Sequence, residues 1–195
     1  MLFEQPVGHD LAVVGNLLCS ERRIALGLGV GEHALADHLS AAIDSPVAPV
    51  EVDEAAWHDH EQHDPDLGRL PVPTFFEREH GPYLTAAAIV AADPTTGARN
   101  WPIARIRPLG GSSALVGIAP NHHLAVLARA AAARGEALPI AACVGLHPAL
   151  LVAACYYLPL GFDELEVAGA LLGEPVTLAL RLGAAGGSGT GRDRA

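Results

Sequence analysis

Asn100-Trp101-Pro102-Ile103-Ala104-Arg105 is the stretch on which the fold of this chain turns. It follows a turn signal, Asp93-Pro94-Thr95-Thr96-Gly97, and runs into an alternating apolar segment ending near Leu109. The pattern predicts an extended segment. On a regular strand, side chains five positions apart point to opposite faces. Asn100 and Arg105 can therefore share a site only if the strand kinks, or if a ligand passes along its edge between them. Asn offers a neutral oxygen to a cation, and Arg is the natural clamp for a carboxylate or phosphate. The plainer reading is a turn Asn followed by a surface Arg. These residues alone do not exclude it.

Working outward, Tyr83 to Ala92 reads as an apolar, small-residue strand, and Ala114 to Ile118 as a third strand beyond Gly110-Gly111. Pro120 to Arg134 reads as an Ala-rich helix closed by Gly135. Pro139 to Val144 reads as a strand, His147 to about Cys155 as a short helix, and Asp163 to Leu172 as another helix. Asp163 and Glu166 have capping-box spacing. Val176 to Leu180 is the last expected strand. Upstream, Leu11-Ala12-Val13-Val14 suits a short strand and Ser20 caps a helix that stops near Gly29. Gly31 to Ile43 forms a second helix with Leu35, Leu39 and Ile43 on one face.

The expected organisation is a partial α/β segment over 1–66, a second domain over 67–183 and a flexible Gly/Ser-rich tail over 184–195. The first segment ends in an acidic, histidine-rich linker. His58, His60 and His63 invite a zinc reading, but interleaved carboxylates without helical His spacing favour a solvated linker.

The chain has 195 residues, enough for a real core, and half of them are apolar. Mean hydropathy is +0.28. A formal charge of −10, with every basic residue an Arg, argues against a general nucleic-acid binder. Cys19, Cys143 and Cys155 have no Cys-x-x-Cys spacing, so neither a disulfide framework nor a thiolate zinc site is expected and a reducing cytoplasm is the default. The start shows no signal peptide. The apolar run Leu138 to Phe162 is broken by Pro139, Gly145, Pro148 and Pro159, which suits a strand, a turn and a helix better than a membrane span.

Three polar residues recur at element boundaries: Asn100 entering a strand, His122 in the first turn of the Pro120 helix, and Glu164 in the first turn of the Asp163 helix. An amide, an imidazole and a carboxylate suit Mg²⁺ or Mn²⁺ better than a thiolate-seeking metal. Taken singly, Glu164 is equally a first-turn acid on a helix dipole and His122 a surface residue. Spacing does not show that the three converge.

A series of segments gives a more specific signal through its order. It comprises Val14-Gly15-Asn16-Leu17, Arg23-Ile24-Ala25-Leu26-Gly27-Leu28-Gly29, Leu70-Pro71-Val72-Pro73, Asp93-Pro94-Thr95-Thr96-Gly97 and Gly145-Leu146-His147-Pro148-Ala149. Leu158-Pro159-Leu160-Gly161 and Glu164-Leu165-Glu166-Val167-Ala168-Gly169-Ala170 complete it. From about Phe3 to about Leu178 the chain resembles the UbiD family of reversible decarboxylases, which use prenylated FMN. The resemblance implies an α+β fold with a flavin-binding split β-barrel and inserted helices. It implies that Asn100, His122 and Glu164 hold a metal (Mn²⁺ or Mg²⁺, or K⁺) that bridges to the cofactor phosphate. Trp101, Pro102, Ile103, Ala104 and Arg105, with Asn121 and His122, would line the flavin. Arg105 would be the catalytic residue that holds the substrate carboxylate. A flavin prenyltransferase would supply the cofactor. The Asn-Trp-x-Ile-Ala-Arg form resembles the branch acting on cinnamic- and ferulic-type acids.

Departures accompany the match. The family's stretch before Phe3-Glu4 has no counterpart here. Its two catalytic glutamates lie beyond the last strand in a Pro-Ala-x-x-Glu-type segment, where this sequence has its Gly/Ser-rich tail. Its carboxy-terminal, dimer-forming domain is missing too. Three expectations follow: a decarboxylase of aromatic or α,β-unsaturated acids, a non-catalytic flavin-binding or partner subunit completed by another chain carrying the missing glutamates, or an inactive truncated or frameshifted fragment. The expected protein partner is a homo-oligomer copy or that complementing subunit.

Overall fold

The computed structural model describes residues 1–179, except Glu54, Glu61, His63 and Pro94 and the side chains of Trp57 and His58. The expected tail, Leu180 and the three-histidine zinc reading lie outside the described residues. In chain order, β1 (Leu2–Phe3) and β2 (Val13–Val14) form a small antiparallel ribbon, followed by α1 (Glu21–Gly27) and α2 (Leu35–Asp44). Ser20 caps α1 as expected, its Oγ accepting from the Arg23 N–H. The strand expected over 11–14 shortens to two residues, the length over which β1 pairs with it. The buried stripe of α2 is Leu35, Leu39 and Ala42, whereas Ile43 is about half exposed.

Then come β3 (Val50–Glu51), β4 (Leu84–Ala92), β5 (Arg99–Asn100), β6 (Ile103–Gly110) and β7 (Ser113–Gly117). After them come α3 (His123–Ala133), β8 (Ile140–Cys143), α4 (Pro148–Ala153), α5 (Glu164–Leu172) and β9 (Thr177–Leu178). Two boundaries correct the sequence reading. The α3 helix starts after Pro120, because the His122 N–H bonds to the Ala119 carbonyl (3.0 Å) and closes a turn. His122 is therefore the N-cap, with extended backbone (φ −78°, ψ 146°), and not a first-turn residue. The last strand is β9 alone among the described residues, paired in parallel with β3.

Strand β4 is the centre of a curled five-stranded antiparallel sheet. Ala88 faces Ile103 on one side and Cys143 on the other, and Ala91 faces Asn100 and Ile140. So β5 and β6 lie along one edge of β4, β8 lies along the opposite edge, and β7 pairs outside β6. The break between β5 and β6 is chemical. Pro102 accepts from the Ile89 N–H (2.9 Å) but has no N–H to return.

Each face of the hairpin is covered. Ala87, Ile89, Ala91, Ala104 and Ile106 pack on Leu124 and Leu127 of α3. Ala88 and Trp101 pack on Ala149 and Ala153 of α4 and on Leu165, Ala168 and Leu171 of α5. The amino-terminal segment is bound to this second layer. Tyr156 Oη donates to the Leu39 carbonyl (2.8 Å), and the Val47 N–H donates to the Glu166 carbonyl (3.0 Å). Close approach requires glycine at two points. A Cβ on Gly169 would lie 2.6 Å from the Val47 carbonyl oxygen, and one on Gly27 would lie 2.8 Å from Pro148 Cβ. Among the described residues, no helix is long and apolar enough to cross a membrane.

Candidate functional site

The register settles how Asn100 and Arg105 are arranged. Ala91 faces Asn100 and Ala88 faces Ile103, so each strand advances three residues and none is inserted. Past Ile103 the ladder is irregular, for Ala104 faces Ala87 and Ile106 faces Leu84, which puts an extra β4 residue opposite Arg105. Strand alternation and this irregularity together set the side chains of Asn100 and Arg105 apart. They line separate clefts. The first, about 280 Å³, is bounded by Asn100, Pro102, Ile103, His122, His123 and Glu164 with the Ala154–Leu158 segment. The second, about 220 Å³, is bounded by Ile103, Ala104, Arg105, His122, Leu124 and the Gly117–Ala119 segment. Ile103 and His122 border both, so the clefts adjoin at these two residues.

In the first cleft, Asn100 and Glu164 are each 3% exposed. Glu164 is the first residue of α5, where the helix dipole favours a carboxylate. Its cap is Asp163, whose Oδ1 accepts from the Leu165 N–H rather than from Glu166. Glu164 Oε1 accepts from Asn100 Nδ2 (3.0 Å), and Oε2 accepts from the Trp101 N–H (2.9 Å). With its amide nitrogen committed, Asn100 turns its oxygen free. Among the described residues, Asn100 Oδ1 and His122 Nδ1 are buried without a hydrogen-bond partner. Buried polar atoms are nearly always paired, so two such atoms beside a buried carboxylate fit a missing cation. A neutral oxygen, an imidazole nitrogen and a carboxylate are a donor set for Mg²⁺ or Mn²⁺. Among the described residues no group of three His, Cys, Asp or Glu is arranged to hold a metal, so the amide is what completes this set.

The remaining expected residues divide. Pro102, Ile103 and Ala104 line one or both clefts. Trp101 does not: its indole is 4% exposed, packs in the core and donates from Nε1 to the Leu150 carbonyl (3.0 Å). Only its backbone serves the site. Asn121 is exposed on the loop before α3 and borders neither cleft. Arg105 is exposed, with its guanidinium 5.6 Å from the ring centre of Tyr83, within cation–π range.

Sequence reasoning missed several contributors. His123 stacks on Tyr157 (centroids 5.5 Å apart, 22° between planes), and both border the first cleft. Cys155 borders it too, and burial raises its thiol pKa, as it does for Cys143. Arg99 bonds Asp163, each one residue before a cleft residue. That adjacency is the signal that was available: opposite charges directly preceding Asn100 and Glu164.

Comparison with known proteins agrees with this fold. Residues 48–182 match the 3-octaprenyl-4-hydroxybenzoate carboxy-lyase Rift-related domain, and residues 1–43 match the corresponding N-terminal domain. Anhydromevalonate phosphate decarboxylase of Methanothermobacter thermautotrophicus is 35% identical over 82% of this chain and 37% of its own. The UbiD-class enzyme HmfF from Pelotomaculum thermopropionicum, solved with FMN, superposes with TM-score 0.82 at 35% identity over 90% of this chain and 40% of its own. Vanillic acid decarboxylase of Sedimentibacter hydroxybenzoicus gives TM-score 0.83 at 28% identity, again over 90% and 40%. The chain spans about two fifths of the length of the curated relatives it matches. From both halves of its sequence and from its fold, the chain belongs to the UbiD family.

Proposed function

We propose that this chain is the cofactor-holding part of a decarboxylase that removes CO₂ from an aromatic or α,β-unsaturated carboxylic acid, using prenylated FMN and a divalent cation. The observation that carries this is the pair of buried atoms without a partner among the described residues, Asn100 Oδ1 and His122 Nδ1, on side chains that border one cleft together with Glu164. In this reading Asn100, His122 and Glu164 hold Mn²⁺ or Mg²⁺, with K⁺ as a further ion, and the cation balances the cofactor phosphate. Ile103 and His122, which border both clefts, would flank the flavin. Arg105 holds the substrate carboxylate by charge-assisted hydrogen bonds, fixing it before the carbon–carbon bond breaks. When bound, prenylated FMN supplies the electron sink for that step.

HmfF is solved with FMN, and an evolved dimeric form of it with prFMN, which supports the flavin assignment. The named relatives act on different acids, so the substrate class rests on the resemblance of the hexapeptide to the cinnamic and ferulic branch. The working divisions are 1–66, 67–183 and 184–195, in a cytoplasmic protein served by a flavin prenyltransferase.

A second reading has its own observation. No Glu follows Glu174 within these 195 residues, so the proton donor expected beyond β9 is not among them. The chain then binds flavin and takes its acid from a complementing subunit. Without a general acid, turnover falls by about 10²–10⁴. The test is co-expression with a flavin prenyltransferase, followed by an absorption spectrum and a CO₂-release assay. Bound flavin with turnover supports the first reading, and bound flavin without turnover supports the second. Absence of both flavin and metal overturns both.

A further inference from the structure

We propose that the Arg99–Asp163 ion pair is a positioning clamp that joins β5 to the start of α5 and sets the spacing of Asn100 and Glu164. Three consecutive residues of one segment bond two consecutive residues of the other. Arg99 Nε donates to Asp163 Oδ2 at 2.6 Å, Asn100 Nδ2 to Glu164 Oε1 at 3.0 Å, and the Trp101 N–H to Glu164 Oε2 at 2.9 Å. The oxygens of Asp163 divide their work. Oδ1 caps α5 through the Leu165 N–H, and Oδ2 takes the guanidinium. The ion pair is shielded, with Arg99 25% and Asp163 12% exposed at the side chain. Glu51 of β3, 70% exposed and 3.8 Å from Arg99, adds a weaker tie from the amino-terminal segment.

Such a clamp matters where two elements far apart in sequence must present donors at fixed separation. The polar groups of α5 that meet the hairpin are in its cap and first residue, and Asn100 sits at the end of a two-residue strand. Groups hydrogen-bonded to a cation's donors typically change its affinity about 10–100-fold when lost. Arg99 and Asp163 bond each other one residue away from the donors, so the lower end of that range is their expected effect. The functional meaning rests on the cation reading above, whereas the clamp itself is a property of the apo fold.

Arg99→Gln and Asp163→Asn test it. Asp163→Asn retains an oxygen for the helix cap, so it removes the clamp selectively. Three quantities are measured: Mn²⁺ affinity by titration calorimetry, the metal-free melting temperature, and hydrogen exchange of the Trp101 amide in metal-free protein. We expect both variants to bind Mn²⁺ about tenfold more weakly. The double variant should be no worse than either single one, and Arg99→Lys should recover part of the loss. A bare charge effect predicts opposite signs, tighter binding for Arg99→Gln and weaker for Asp163→Asn. Opposite signs, additive losses or unchanged affinity overturn the clamp. Glu164→Gln distinguishes the two layers. If it leaves wild-type Mn²⁺ affinity intact, the cation reading falls and the Trp101 amide decides. Exchange about tenfold faster in both clamp variants upholds the clamp, and unchanged exchange overturns it.

Discussion

Asn100 and Arg105 lie on one strand of a single hairpin, yet their surroundings differ in kind. The Asn100 end is buried and tied to α5 by Glu164, with the neighbouring Arg99–Asp163 pair beside it. Arg105, five residues on, is exposed, and its recorded contact is the Tyr83 ring. The first end is preorganised: its polar groups are fixed before any ligand arrives, so little reorganisation remains to be made on binding. The second holds a charge in water, where it costs little folding energy and waits for an anion. The difference predicts that changes at the Asn100 end alter stability and ligand binding together, while changes at the Arg105 end alter binding alone.

The largest expected effect is at Glu164. In Glu164→Ala, Asn100 Nδ2 and the Trp101 N–H lose their partner inside the protein. Leaving two buried donors unsatisfied costs about 3 kcal/mol. Thermal unfolding should show that loss in metal-free protein, and Mn²⁺ binding should vanish. A variant with wild-type stability would mean that water replaces the carboxylate freely and that the Asn100 end is not preorganised.

Next comes Gly169→Ala. Its Cβ would meet the Val47 carbonyl oxygen at 2.6 Å, with backbone on both sides of the contact. Overpacking of this kind costs about 1–3 kcal/mol. Because α5 carries Glu164, the same variant should also weaken Mn²⁺ binding. Loss of stability with unchanged Mn²⁺ affinity would separate the helix body from its first turn and narrow the rigid region to the bonds at Asp163 and Glu164.

A smaller effect with a pH signature lies at Tyr156, which borders the first cleft and donates to the Leu39 carbonyl. Tyr156→Phe should cost about 1 kcal/mol near neutral pH. Burial raises the Tyr156 phenol pKa. The folded-state value is therefore above the unfolded one, and the contribution is complete below the unfolded pKa of about 10. It is lost as pH rises toward the folded value, because the unfolded tyrosine ionises first. The melting-temperature gap between wild type and Tyr156→Phe should shrink above about pH 10. A constant gap across that range would assign the stabilisation to ring packing.

Local chemistry made much of the fold legible in the sequence. Ser20, Asp163 and Gly135 mark helix ends, and Asp93 makes the expected turn, its Oδ1 accepting from the Thr95 and Thr96 N–H groups. Those amides hold the Asp93 carboxyl pKa below its usual value. The motif glycines were legible as punctuation but not as contacts. Gly27 packs on Pro148, and Gly169 on Val47, across distances in sequence that no periodicity reveals. At the site, the residue types were visible and the convergence was not. Trp101 was read beside its neighbours as a flavin contact, but alternation sends its indole into the core, where Leu150 takes its N–H. His122 moved from helix to N-cap because the Ala119 carbonyl captures its N–H, a turn that Pro120-Asn121 favours at its two central positions and that the helix reading passed over.

Arg105→Ala is the smallest change to the fold and the sharpest test of the contrast. The guanidinium is exposed, and it gives up one cation–π contact worth about 0.5–1 kcal/mol at such sites. The melting temperature should stay near that of wild type, and Mn²⁺ affinity should be unchanged, because Arg105 borders only the second cleft. Turnover of a carboxylic acid, where the loaded protein has it, should be abolished, since no other described residue bordering that cleft is an Arg. A parallel fall in Mn²⁺ affinity would show that the clefts communicate through Ile103 and His122, the two residues they share. Both ends of the strand would then belong to one preorganised site. Loss confined to the acid would leave them as two sites of different rigidity, joined only by the ligand that spans them.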